Sequence, residues 1–249
     1  MASDRTAPAS SVAPVDLSAE RARSSRRWQF YLVIAIAFGL PVLSSLVVFF
    51  GHRTLHAATP GRTIVGVVFQ LIGLTSLYLV LRHQKRSLSD IGVRWPMRLD
   101  EVGHAFGLFF GAFPVGLAVA IVLFAIYHAL GHPLYRTFND AALFGTRITG
   151  WTVLYVFLNP FHEELIVRGF LITEMEHFYK NTALAVFVSV FLQSSYHLYQ
   201  GLAPAILHAS TFLLFSIYFV KKRRILPVVM AHMLLDVSAL MVYAHRLAK

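Results

Sequence analysis

The chain contains no cysteine, which excludes disulfide bridges, thiolate metal sites and cysteine nucleophiles. Charge is scarce as well. Of 249 residues only 14% are Asp, Glu, Lys or Arg, against 57% hydrophobic, and the mean hydropathy is +0.62. A soluble domain of this length needs more charge to cover its surface. Acidic residues are the scarcest charges, 12 against 22 Lys and Arg. The resulting +10 falls mostly in loops between apolar runs, where membrane topology accounts for it. Nucleic acid is therefore not an expected partner. Internal repeats and a second globular domain are also missing.

What is present is a series of apolar runs, each near the roughly 20 residues needed to cross a bilayer. The expected fold is all-α: a polytopic membrane protein of about seven spans, with an eighth left open. The segments are 29–50, 63–81, 104–128, 149–172, 182–199, 202–220 and 225–244, the fourth able to continue to about residue 178. Residues 1–28, rich in Ala, Ser, Pro and Arg, read as a disordered basic tail. Residues 29–145 read as a scaffold with a basic amphipathic loop at 82–102, and 146–249 as the chemical core. Counting Lys and Arg in alternate connections gives fifteen for the set containing the tail and six for the other. The richer set is cytoplasmic by the positive-inside rule, so the N-terminus is expected inside. Only Lys180 carries that assignment for the fourth connection. Gly107 and Gly111 form a G-x-x-x-G, expected to be a close helix contact.

Ionisable groups are unevenly placed. Segments one to three have none in their interiors. Segment four, through N-P-F-H-E-E-L-I-V-R-G, carries His162, Glu163, Glu164 and Arg168; His197, His208, His232 and Asp236 follow in segments five to seven. Each charge at a helix centre costs about 2.5–3.5 kcal/mol on an insertion scale, so these groups must face inward and find one another. Glu164 and Arg168, four apart, suit an ion pair, while Glu163 lies about 100° round the wheel and faces elsewhere. Asn159-Pro160 suits a helix start, with Asn as cap; if the helix runs through instead, Pro160 leaves the Val156 carbonyl without its partner. The simplest assembly points Glu163, His197, His232 and Asp236 at one hydrated cavity. Depth is discordant: Glu163 and His197 lie about 22–24 Å from the cytoplasmic helix ends, His232 only about 12 Å.

E-E-x-x-x-R at Glu163, Glu164 and Arg168, then His197, then H-x-x-x-D at His232 and Asp236, occur in that order. Together they resemble the CPBP family of intramembrane proteases, the type II CAAX prenyl endopeptidase and bacteriocin-processing group. The resemblance covers about 145–245 and implies an endopeptidase acting on a membrane-associated or lipidated protein or peptide. It implies that Glu163, helped by His197, activates water, that Glu164 held by Arg168 orients the site, and that His232 with Asp236 stabilises the oxyanion. A bacterial plasma membrane, with its lipid as a further partner, is the location implied. The family's second motif is usually F-x-x-x-H, whereas this chain has Gln193 four residues before His197; Gln193 either bonds within the site or marks a divergent subgroup.

Two mechanisms stay open at this stage. Glu163, His197 and His232 form a two-His, one-carboxylate set that suits zinc with a free position for water; a metal-free glutamate mechanism fits the same residues. Two other functions also stay open: a transporter using these groups as a proton relay, and a non-catalytic scaffold or immunity-type membrane protein. Within each reading structural roles compete. Glu164–Arg168 could be a buried pair alone, Asp236 a partner that only orients His232, and His208 a packing hydrogen bond. His162 is left between site and core, and Glu174 and Glu176 are expected at the cytoplasmic interface.

Overall fold

The computed structural model describes residues 17–53, 55–131 and 140–249. It is helical, with no strand among the described residues. Helix α1 runs through Leu17–Ile34, a π-helical stretch Ala35–Gly39 and Leu40–Phe50; α2 is Pro60–His83 and α3 Leu99–Ala129. Helix α4 runs through Gly150–Glu163, a π-helical stretch Glu164–Ile172 and Thr173–Tyr179. Helices α5 (Thr182–His197), α6 (Leu202–Lys222) and α7 (Leu226–Leu247) complete the bundle.

Local chemistry sets the boundaries. Thr59 caps α2 by accepting from the Arg62 N–H, and Pro60 occupies the first helical position, where its missing N–H is not needed. Thr149 caps α4 and Asn181 caps α5 through the Leu184 N–H at 3.0 Å. Lys180 takes a left-handed conformation and closes α4.

Among the described residues five helices are long and apolar enough to cross a membrane: Arg23–Phe50, Pro60–His83, Leu99–Ala129, Leu202–Lys222 and Leu226–Leu247. The chain is an integral membrane protein. Segments four and five are helical where expected but fall outside that measure. Helix α4 carries Glu163, Glu164 and Arg168 in its middle, and α5 has only 16 residues. Phe110, Leu117 and Ile121 of α3 are more than half exposed, as side chains facing hydrocarbon should be.

Helix α4 is central, packing on α2, α5 and α7. Its π stretch is buried from Ile166 to Ile172. Around it lies one apolar cluster that includes Phe38, Leu77, Ile91, Phe170, Phe215, Phe219 and Ile225.

Several expectations need correction. The first helix begins at Leu17, so the tail is helical from 17 to 28; its earlier part lies outside the described residues. Tertiary contacts hold that extension: Arg26 bonds to Glu174, and Arg27 lies over the Phe178 ring. Helix α4 does not start at Asn159 but runs through Pro160. Neither glycine of G-x-x-x-G is a tight contact: a Cβ at Gly107 would meet nothing within 4 Å, and one at Gly111 only Leu214 at 3.7 Å.

The two ends of the bundle sort the connections. At one end Glu174 bonds to Arg26 at 2.7 Å and also to Arg86, Glu176 to Arg223 at 2.6 Å, and Glu101 to Arg224 at 2.6 Å. At the other end the Ala58 N–H donates to the Ala141 carbonyl, Tyr243 to the Gly145 carbonyl, and Arg246 pairs with Asp140. The tail, the 82–98 loop, the α4–α5 connection and the Lys221–Arg224 connection thus share one end. That is the same partition the Lys and Arg count makes, apart from Arg5 and Arg136, which lie outside the described residues.

A short 3₁₀ turn, Leu88–Ile91, is wedged into the first of these ends. Ile91 is fully buried, and its carbonyl approaches Gly169 so closely that a Cβ there would sit 2.8 Å away. Gly92, at φ +92°, accepts from the Ile225 N–H. A side chain at Gly92 would be strained by that φ and would strike Phe219.

Candidate active site

Glu164 is the hub of the buried polar groups. It has no exposed surface, nor has Arg168. Its Oε1 accepts from Arg168 Nη1 at 2.8 Å and stands 2.7 Å from His232 Nδ1. Widening from α to π geometry begins at Glu164. A turn closed by i→i+5 bonds brings residue i+4 nearly above residue i, so Arg168 stands over Glu164. Such π segments concentrate at functional sites. Arg168 is further enclosed by the Phe212 and Phe215 rings, at 5.0 and 5.9 Å from its guanidinium carbon.

That pairing fixes one proton of His232. A carboxylate bonded to guanidinium is an acceptor, so Nδ1 carries a proton and donates to Glu164, and the carboxylates facing Nε2 favour a second proton there. The opposite nitrogen, Nε2, then faces the other two carboxylates: Asp236 Oδ1 at 3.5 Å and Glu163 Oε2 at 3.9 Å. Glu163, buried beside it, accepts from Gln193 Nε2 at 2.7 Å. Asp236, with 27% of its side chain exposed, is the site's most open carboxylate and accepts from Asn159 Nδ2 at 3.1 Å.

The expected residues Glu163, Glu164, Arg168, His232 and Asp236 are therefore gathered at one place. His197 is not bonded to them. Its ring packs against His208 and Tyr196, both at 4.7 Å, and Phe212 at 5.3 Å. Its Nδ1 has only a long 3.4 Å contact with Gln200, and its buried Nε2 has no hydrogen-bond partner. The α5 side chain that touches Glu163 is Gln193, one turn before His197. The departure from F-x-x-x-H thus bonds directly to the carboxylate.

The depth expected of His232 changes at the bundle end. Ile225 is fully buried and bonded to Gly92, so α7 begins inside the bundle rather than at its surface. The π stretch rises less per residue than an α-helix, which draws Glu163 toward the same end.

His162 turns away from the carboxylates. It packs on Phe38 at 5.1 Å and fills the space over Gly73. His208 lies 2.9 Å from the Gln200 side-chain oxygen, the packing bond expected of it. Sequence reasoning missed Gln70, whose Nε2 donates to Asn159 Oδ1 at 3.2 Å, and it read Asn159 as a cap rather than a site residue. An amide in the middle of an apolar segment was the available signal.

For the zinc set of Glu163, His197 and His232, the geometry is discouraging. Among the described residues no three His, Asp or Glu side chains converge closely enough to hold a metal ion. His197 faces His208 and Phe212 rather than Glu163, so the donors do not fit that centre.

The model of the Rce1-like family, described as type II CAAX prenyl endopeptidase Rce1-like, matches residues 145–238. No curated protein and no solved structure matches. The match runs from just before the cap of α4 to just past Asp236 and takes in the whole carboxylate–imidazole cluster. Residues 145–238 of this membrane protein are thus similar to the Rce1-like type II CAAX prenyl endopeptidases.

Proposed function

We propose that the chain is an intramembrane endopeptidase that hydrolyses a peptide bond in a membrane-associated or lipidated substrate, with Glu163 activating the water. The observation that carries this reading is the division of labour between two adjacent glutamates. Glu164 is neutralised by Arg168 and engages His232 through Oε1, whereas Glu163 is held by the neutral amide of Gln193 and keeps acceptor capacity for a water proton. A purely structural pair would not need the second carboxylate in the same pocket.

In the proposed sequence Glu163 takes a proton from water as the oxygen attacks the scissile carbonyl carbon. The tetrahedral oxyanion forms near His232, oriented by Glu164 on Nδ1 and Asp236 on the Nε2 side. The carbon–nitrogen bond then breaks, and Glu163 returns its proton to the leaving amine. General-base catalysis of this kind contributes typically about 10²–10⁴-fold.

The reading is tested by comparing membrane peptides from cells carrying the wild-type chain and Glu163→Gln at equal abundance. New peptide termini seen with the wild type should disappear with the variant. Identical termini in both would remove the reading. Proton-coupled flux in liposomes without any cleaved peptide would favour a transporter.

A further inference from the structure

Helix α2 lies outside the residues matched to the family, and its sequence has no ionisable group in its interior. It nonetheless sends a buried amide side chain into the bundle. Gln70 is 3% exposed in an otherwise apolar segment, and a buried amide there is costly unless it is bonded. Its Nε2 approaches two acceptors, the Tyr155 backbone carbonyl at 3.4 Å and Asn159 Oδ1 at 3.2 Å.

The polarity of this contact is not arbitrary. A backbone carbonyl can only accept, so the Gln70 nitrogen, not its oxygen, must face α4. Asn159 then presents its oxygen to Gln70 and its Nδ2 to Asp236 Oδ2 at 3.1 Å. A carboxylate receiving that donor holds its other oxygen, Oδ1, toward His232 Nε2 at 3.5 Å. The chain continues from His232 Nδ1 to Glu164 and from Glu164 to Arg168. One continuous series of contacts links α2, α4 and α7: Gln70 turns the amide of Asn159, and the two carboxylates, Asp236 and Glu164, each accept from both sides.

We propose that Gln70 and Asn159 are positioning residues for the reaction: they orient Asp236 and, through it, the Nε2 face of His232. The front half of the chain thereby takes part in setting the reacting geometry. This rests on the peptidase reading, and it adds two residues that touch neither substrate nor water. A positioning role predicts loss in kcat with KM little changed, because the groups that contact substrate remain. A packing role predicts no difference between an amide and an apolar side chain of the same length.

The test uses the full chain in liposomes with a fluorogenic prenylated peptide ending in the CAAX pattern. Gln70→Met keeps the volume and removes the donor; kcat should fall about tenfold while KM stays within about twofold. Asn159→Asp sets two carboxylates face to face and should cost more. The exchange Asn159→Asp with Asp236→Asn restores a donor–acceptor pair in reverse and should recover at least about tenfold over Asn159→Asp alone. Wild-type kcat in Gln70→Met, or an exchange variant no better than Asn159→Asp, would overturn the proposal. Failure of the peptidase reading appears differently, as no Glu163-dependent cleavage by the wild type. The same cycle read on thermal unfolding then decides: the exchange variant should unfold at a higher temperature than the two single changes add up to, and simple additivity would sink the relay.

Discussion

Arg168 has no exposed surface and lies between Glu164 and two phenylalanine rings. Removing one partner of such a pair leaves a charge in a low-dielectric interior, which costs about 3–5 kcal/mol. Arg168→Ala should therefore lower the unfolding temperature markedly, and Arg168→Lys should rescue it only in part, since an ammonium lacks the planar fork. An unchanged unfolding temperature in Arg168→Ala would contradict the hub assigned to Glu164. This pair was legible in the sequence, because two opposite charges four residues apart in an apolar helix have few other ways to be satisfied. The separate environment of Glu163 was legible for the same reason, as was the question raised by Gln193. His232 was expected at the same cavity, but its bond to Glu164 was not, since nothing in the spacing says that α7 begins inside the bundle. Asn159 and Gln70 escaped because counting ionisable groups passes over amides, which cost less in hydrocarbon yet still need partners.

The helices follow from hydropathy and capping residues, and all seven expected segments are helical. The π stretch of α4 leaves no hydropathy trace, since moving the ladder from i→i+4 to i→i+5 changes neither composition nor length. The early start of α1 was hidden because Arg26 is stabilised by α4 and not by its neighbours in sequence. Its contact carries a pH dependence. Burial pushes the Glu174 carboxyl up, but the guanidinium groups of Arg26 and Arg86 outweigh burial and hold it below the ordinary value of 4.5. A lowered folded-state value means the contact stabilises fully above pH 4.5 and loses that contribution as pH falls toward the folded-state value. Arg26→Ala should lower the unfolding temperature at neutral pH, with the gap to wild type closing as the solution is acidified below that value. A gap that stays constant with pH would show that Arg26 contributes through packing alone.

The whole chain divides into two ends whose connections agree with the distribution of Lys and Arg. The absence of native cysteine makes that arrangement open to direct labelling. Lys180→Cys is expected to react with an impermeant maleimide from the same side as the N-terminus, and Asp140→Cys from the opposite side. Labelling of both from one side would contradict the partition. The family resemblance was readable from three motifs in order, but the contribution of α2 was not, because the family match begins at residue 145.

The most direct measurement is the hydrolysis rate, in liposomes, of a membrane peptide cleaved by the wild-type chain, compared with Glu163→Gln of matched unfolding temperature. The account expects the variant to lose at least about 10²-fold in kcat, while Glu164 keeps its bonds to Arg168 and His232. A folded Glu163→Gln that cleaves at the wild-type rate would contradict it.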